Sequence, residues 1–305
     1  MNNIKNKTIL IAGGSGLIGK ELVKSLTQAG HTVRVLTRKK DVRPPYYYWN
    51  VKTKEIDEAA LKGVEVMINL SGAGIADKRW TEKRKQEIID SRVETTRFLF
   101  TLSEKTPKLK HYISASGITC YGFDEHEKKY KEDDPYGNDY ISFVVKAWEY
   151  EADAFSTHQI VTKLRTGIVL TLKGGALPKI HNTVKNYIGA PLGGGGQITP
   201  WITLKDIVRV YEHIVESEIE GTFNVNSGNI SNAQLTNAIA KHLKRPLWLP
   251  KVPKPALKLI FGEMSDIILK GVNVDNSKLL NTNFEFEHKT IEEALHYIYD
   301  KREES

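Results

Sequence analysis

Seven consecutive positions near the N-terminus, Gly13-Gly14-Ser15-Gly16-Leu17-Ile18-Gly19, combine residue types and spacing that suit the binding of a phosphate group. Gly13 suits a tight turn. Gly16 lets a pyrophosphate approach the backbone at the positive end of a helix, and Gly19 lets that helix pack closely on the preceding strand. Ser15, Leu17 and Ile18 complete the cradle. A strand before the loop and a helix after it turn a bare glycine triplet into a dinucleotide site. The second strand then chooses between dinucleotides. A site for the 2′-hydroxyl form ends that strand on Asp or Glu, whereas this chain reads Thr37-Arg38-Lys39-Lys40. A carboxylate would repel a 2′-phosphate, and a guanidinium can grip it with two parallel hydrogen bonds. Arg38, flanked by Thr37 and Lys39, predicts NADP(H) over NAD(H).

The elements that must position these residues follow from periodicity. Thr8–Ala12 is a short apolar run, as expected of a strand buried on both faces. Leu17, Ile18, Leu22, Val23 and Leu26 recur at helical spacing, and Gly30 ends that helix. Thr32–Thr37, Val64–Leu70, His111–Ser114, Ile160–Leu170 and Thr222–Asn226 read as strands. Trp80–Lys105, Ile141–Ser156 and Val208–Val215 read as helices. Alternation of the two predicts a parallel sheet with crossover helices. The expected fold class is α/β, a Rossmann-type doubly wound parallel sheet with a smaller, mainly helical C-terminal substrate lobe. Residues 1–228 form the nucleotide-binding part. A glycine-rich, loop-like excursion over 175–202 leaves it for the substrate lobe, and 229–305 form the small C-terminal domain.

Composition narrows the function classes. At 305 residues, with 40% hydrophobic and 27% charged residues, the chain suits an ordinary globular protein. No apolar run reaches the roughly 18–20 residues needed to span a bilayer, and no apolar stretch of the length a secretory signal requires follows Met1–Lys5. The expectation is a cytoplasmic protein without a membrane partner. A single cysteine, Cys120, excludes an internal disulfide and a cysteine-based zinc cluster, and the histidines lack ligand spacing, so no metal is expected. A net charge of +7 raises the possibility of nucleic-acid binding, which would show as steep salt dependence. Lysines interleaved with Glu and Asp argue for a solvated surface instead, and no nucleic-acid partner is expected. The sequence carries no signature of an oligomeric state.

Longer motifs run through the chain: Asn69-Leu70-Ser71-Gly72, Arg79-Trp80-Thr81, Ser91-Arg92, Ser114-Ala115-Ser116 with Tyr121-Gly122, and Trp148-Glu149. Leu164–Leu170, Gly174–Leu177, Trp201-Ile202 with Asp206, Gly221 with Asn224, Arg245-Pro246, Gly262–Met264 and Glu292–Leu295 continue them. In these the chain resembles the short-chain dehydrogenase/reductase superfamily, atypical or extended branch, and most closely the nucleoside-diphosphate-sugar epimerase subfamily with its small C-terminal domain. The resemblance implies that Leu70, Ser71 and Gly72 pass beside the nicotinamide ribose and that Thr166 flanks the nicotinamide edge. It implies Ser116 as a catalytic hydroxyl at the end of the fifth strand. It also implies a substrate cleft lined by Arg79, Trp80, Trp201 and the Gly189–Gly196 loop. Packing is the competing reading for Trp80 and Trp201, and it weighs evenly with chemistry for Arg79 and Ser116.

The superfamily's chemistry rests on Tyr-x-x-x-Lys, in which a lysine one helical turn on lowers the pKa of the phenol. Four residues after Tyr140 stands Val144. Tyr140 and Lys146 are six apart, which at ~100° per residue sets them about 120° from each other. Aligning Glu149 with the glutamate that follows the lysine puts Ile141 and Val145 in the two slots. Tyr297–Lys301 fits the spacing but lies in the terminal helix, where one such match arises by chance. Replacement acid/base candidates are Tyr121, Tyr140, Lys146 and Cys120. Tyr121 is the best of them, against a competing role as a buried anchor. Two readings follow: an NADP(H)-dependent oxidoreductase or epimerase acting on a small polar substrate, or a non-catalytic NADP(H) sensor.

Overall fold

A computed structural model describes residues 6–123 and 128–300. Strand β1 (Thr8–Ala12) alternates its side chains between two cores. Ile9 and Ile11 join helix α1 (Leu17–Gln28) through Leu22 and Leu26, and Leu10 and Ala12 face the opposite layer. β2 (Thr32–Thr37), β3 (Tyr46–Asn50) and β4 (Glu55–Ile56) extend the sheet on one side of β1. β5 (Val66–Asn69) and, after helix α2 (Glu82–Ser103), β6 (His111–Gly117) extend it on the other. The short strand β7 (Lys129–Tyr130) and helix α3 (Tyr140–Asp153) precede β8 (Ile160–Thr166) and β9 (Ile168–Leu170). Helix α4 (Leu177–Lys185), β10 (Ile198–Thr203), helix α5 (Leu204–Ser217) and β11 (Gly221–Val225) follow. The main sheet has the order β11-β8-β6-β5-β1-β2-β3-β4, parallel except for the β3–β4 pair. This is a Rossmann-like α/β fold. Packed against it, α1 and α5 build one layer and α2 and α3 the other.

The remaining elements are β12 (Gly228–Ser231), α6 (Asn232–His242), α7 (Lys254–Phe261), α8 (Asp266–Leu269), β13 (Asn273–Val274), α9 (Ser277–Leu280) and α10 (Ile291–Asp300). A second sheet, β12-β10-β9, packs with α4, α6 and α10 around Leu170, Leu177, Leu235, Ile239 and Leu295. β13 pairs with β7.

Three sequence expectations need correction. The single strand expected over Ile160–Leu170 is two strands in different sheets. They part at Gly167, whose N–H donates to the Val225 carbonyl and where a methyl group would stand 2.7 Å from the Pro200 oxygen. The glycine-rich stretch near 175–202 holds the helix α4, nucleated with Pro178 in its first turn. Strands β3 and β4 have no counterpart among the sequence expectations, because Tyr46–Asn50, which lies between β2 and β4, is an aromatic and polar run that lacks a buried strand's apolar pattern.

Candidate functional site

β1 and β5 are neighbours in the sheet, and the chain leaves them in opposite directions. Their C-terminal ends therefore form a topological switch point, where open α/β sheets bind ligands. The glycine loop leaves β1 there. Gly13 has φ +82°, and a methyl group on it would stand 2.7 Å from the Leu70 carbonyl carbon, so only glycine lets the loop touch the exit of β5. A methyl group at Gly19 would stand 2.4 Å from the Gly13 oxygen, which keeps α1 tight against its own entry loop. Ser15 and Gly16 are exposed at the start of α1, with Leu17 and Ile18 half-buried behind them.

The end of α1 is left open electrically. Thr81, Asp139, Thr203 and Ser231 each cap their helix by accepting a backbone N–H. Gly16, at the same position of α1, offers no side chain, and no acid stands in the first turn. Unsatisfied N–H groups and the positive end of the helix dipole thus face outward, as an anion site requires. At the end of β2, Arg38 and Lys39 are exposed, and the Lys39 N–H donates to the Thr37 hydroxyl at 3.3 Å.

The exit of β5 is pinned from below. Asn69 is fully buried; its amide donates to Thr96 and Tyr112, and its carbonyl accepts from the Ser71 N–H at 3.0 Å. Ser91 accepts the Ala73 N–H at 2.8 Å. The Arg92 guanidinium donates to the carbonyls of Ala73 and Ile88, standing 3.0 Å from where a methyl on Gly72 would lie. Burial lowers the Arg92 pKa to about 10, which leaves it cationic at neutral pH. Arg84 donates to the Gly74 carbonyl at 2.5 Å. Trp80 is half-buried, with its indole N–H given to the Ile75 carbonyl at 2.9 Å and its ring edge-on to Tyr140. Arg79 is exposed and lies against Gly262 at the end of α7, so it stands on the rim between the loop and the C-terminal segment.

Ser116 lies near the end of β6 and donates to Glu149 at 2.5 Å. Glu149, 1% exposed, also accepts two hydrogen bonds of 2.8 Å from Arg165, itself 4% exposed, and one of 2.7 Å from Tyr136. Burial pushes the Glu149 carboxyl up, but the hydrogen bonds and charge of Arg165 outweigh it and hold the pKa below the usual carboxylate range. Arg165 donates onward to the Tyr121 hydroxyl at 2.9 Å, and that hydroxyl donates to Asn224 at 2.7 Å. Burial raises the Tyr121 phenol well above its ordinary pKa. Tyr121, the favoured acid/base candidate of the sequence reading, thus has the geometry of a buried anchor.

On α3 the Tyr-x-x-x-Lys slots hold Ile141 and Val145, both buried in apolar clusters. Tyr140 gives its hydroxyl to the Lys85 carbonyl, and Lys146 lies exposed beside the Tyr136 ring. Cys120 is fully buried, and burial raises its thiol pKa, so it is inert. Trp201 stands away from the glycine cradle and borders a hollow between β12, α6 and the start of α10. It is a core residue of the small sheet, with its indole packed on Gly228. Thr166, half-buried at the end of β8, donates to the Leu164 carbonyl at 3.1 Å. Tyr297 stands on α10 beside Lys205 and His288, away from this site, and Lys301 lies outside the described residues.

The structure therefore brings Gly13, Leu70 and Ser71 into contact, and Gly72 against Arg92. It joins Ser116 to Tyr121 only through Glu149 and Arg165. Glu149, Arg165 and Arg92 lay within motifs read from the sequence, but with no role assigned. An arginine at position 165, set between apolar residues of a strand-like run, is the signal for a buried ion pair.

Together the sheet order and the uncapped glycine cradle define a dinucleotide-binding α/β protein. The chain belongs to the NAD-dependent epimerase/dehydratase family, which it matches over residues 9–226. Residues 252–298 match a domain of unknown function, DUF1731. The chain is 33% identical over 296 residues to the epimerase family protein Mb2239 of Mycobacterium bovis, covering 96% of this chain and 97% of that one. It is 34% identical over 303 residues to the epimerase family protein YfhF of Bacillus subtilis, covering 96% and 98%. The crystal structure of the human epimerase family protein SDR39U1 (isoform 2), solved with NADPH, superposes with a TM-score of 0.86 at 27% identity, covering 96% and 99%.

Proposed function

We propose that the chain is an NADP(H)-dependent oxidoreductase or epimerase-like enzyme acting on a small polar substrate, without a Tyr-x-x-x-Lys pair. The observation that carries this reading is the pairing of an uncapped, acid-free α1 terminus with an exposed, acid-free Arg38 at the end of β2. The NADPH in the human relative's structure supports it.

The cradle fits the cofactor, because its close approaches leave room for backbone alone at Gly13 and Gly19. The N–H groups around Ser15–Ile18 would hold the pyrophosphate and Arg38 the 2′-phosphate, with Thr37 and Lys39 beside it. Leu70, Ser71 and Gly72 would flank the nicotinamide ribose, held in place by Arg92, and Thr166 the nicotinamide edge. When bound, the cofactor supplies hydride exchange at its nicotinamide ring. Ser116 gives its own proton to Glu149, so its oxygen lone pairs remain to accept a hydrogen bond from a substrate hydroxyl. Glu149, with its lowered pKa, orients that serine and does not compete for the proton. Arg79 on the rim would contact a polar substrate. The core is assigned to residues 1–228 and the substrate lobe to 229–305 with the 175–202 excursion.

A second reading, a non-catalytic NADP(H) sensor, is favoured by one observation: Ile141 and Val145 fill the acid/base slots. The test is NADPH oxidation followed by absorbance with a panel of nucleotide sugars and small carbonyl compounds. Turnover reduced in Ser116→Ala without loss of NADPH affinity supports the enzyme. No turnover, together with NADPH bound far more tightly than NADP⁺, supports the sensor.

A further inference from the structure

The charge of this chain is not evenly spread. No Asp or Glu occurs between Asp153 and Asp206, nor between Glu220 and Glu263. The second interval carries Lys241, Lys244, Arg245, Lys251, Lys254 and Lys258, so the interleaving of lysines with acids that holds elsewhere fails here. Large apolar side chains stand out of the same region. Trp248 is 70% exposed, Leu259 80% and Ile260 62%, with Leu249, Tyr187 and Ile188 also exposed.

Those on the 187–194 and 245–254 segments lie side by side, and Leu259 and Ile260 follow on α7. The Arg245 guanidinium lies 4.8 Å over the Tyr187 ring. The Val252 N–H donates to the Pro191 carbonyl, the Gly193 N–H to the Val252 carbonyl, and Lys251 to the Gly194 carbonyl. Segment 187–194 therefore runs beside 245–254, and α7 continues from there without a break. In α7 the buried Leu257 faces inward. Leu259, two residues on at ~100° per residue, points to the opposite side, while Ile260, about 60° from Leu257, stands exposed at the flank of the helix.

We propose that this face of the small lobe docks peripherally on an anionic lipid surface. Lysines meet the headgroup phosphates, while Trp248, Leu259 and Ile260 enter the interface between headgroups and acyl chains. Charge alone would equally suit a nucleic acid. Aliphatic side chains exposed this far gain nothing from a phosphate backbone, but at a bilayer interface they bury apolar area beside the cations. Trp adds an amphipathic ring suited to headgroup depth. Among the described residues no helix is long and apolar enough to cross a membrane, so the contact is one of surface docking.

The test is co-sedimentation of the full chain with phosphatidylcholine vesicles, with and without phosphatidylglycerol. Binding is expected only with phosphatidylglycerol, together with a blue shift of tryptophan emission that Trp248→Phe removes while binding persists. Lys244→Glu/Lys251→Glu/Lys258→Glu and, separately, Leu259→Ser/Ile260→Ser should each weaken partitioning by about tenfold or more. Both sets of side chains are exposed, and an unchanged thermal melt would show that each variant is folded. Absence of binding, equal binding to neutral vesicles, or binding that survives Leu259→Ser/Ile260→Ser and is displaced by an RNA homopolymer would overturn the proposal.

Discussion

Replacing Glu149 by leucine would leave Arg165 as a buried cation without its partner. Four hydrogen bonds end on that carboxylate, from Arg165 twice, Ser116 and Tyr136. Both charges are shut away from solvent, so screening removes little of the effect. Breaking such a pair costs about 3–5 kcal/mol, a large share of the ~5–15 kcal/mol that holds a domain together. Removing both charges, with Glu149→Leu and Arg165→Met, should cost less than Glu149→Leu alone, because no unpaired charge remains. The sign with pH follows from the lowered Glu149 pKa. The pair's contribution is present above the unfolded carboxylate's pKa of about 4.5 and is lost as pH falls through the folded value. The gap between the parent and Glu149→Gln should therefore close under acid conditions. Urea unfolding followed by circular dichroism on the parent, both single variants and the double would measure these terms. A Glu149→Leu cost under about 1 kcal/mol, or a double variant as costly as the sum of the singles, would refute the reasoning.

Three further perturbations follow. Gly13→Ala should abolish dinucleotide binding and lower stability by about 1–3 kcal/mol, since φ +82° and a 2.7 Å approach both oppose a side chain; calorimetry and a thermal melt would check the two effects. His111 is buried beside Thr162, whose hydroxyl donates to the Ile219 carbonyl and so accepts from the His111 Nε2–H. Burial lowers its pKa to about 4, so stability should fall by about 3 kcal/mol as pH drops from about 6.5 to 4, and His111→Gln should flatten that slope in urea titrations. Asp206, fully buried, accepts the N–H groups of Glu287 and His288 and the His288 ring, fastening residues 287–288 to α5. Asp206→Ala should cost at least about 2 kcal/mol by denaturant unfolding.

How much was legible in the sequence depended on how local the signal was. β1, the glycine loop, α1 and β2 were readable because strand, turn and helix occupy one short window with distinct periods. The parallel sheet followed from the alternation of elements. The split of Ile160–Leu170 was hidden, because a strand-like run cannot show that its two halves pair with different sheets. The α4 helix was masked by glycines flanking it on both sides. At the site, the cradle and Arg38 were visible as spacing. The link from Ser116 through Glu149 and Arg165 to Tyr121 joins residues far apart in the chain, and only the fold brings them together. For Trp201 the packing reading stands beside the cleft reading in the sequence, because a tryptophan lining a cleft and one packed in a small sheet have the same neighbours along the chain; the fold puts it in the core of the small sheet.

The central claim is that the glycine cradle and Arg38 together bind a dinucleotide bearing a 2′-phosphate. Calorimetric titration of the parent and Arg38→Ala with NADPH and NADH tests it most directly. The expected result is tighter binding of NADPH than NADH by the parent, and a loss of about 10–100-fold in NADPH affinity in Arg38→Ala with NADH unchanged, the worth of a charge-assisted bidentate contact. Equal affinity of the parent for both cofactors, or no binding of either, would contradict the account.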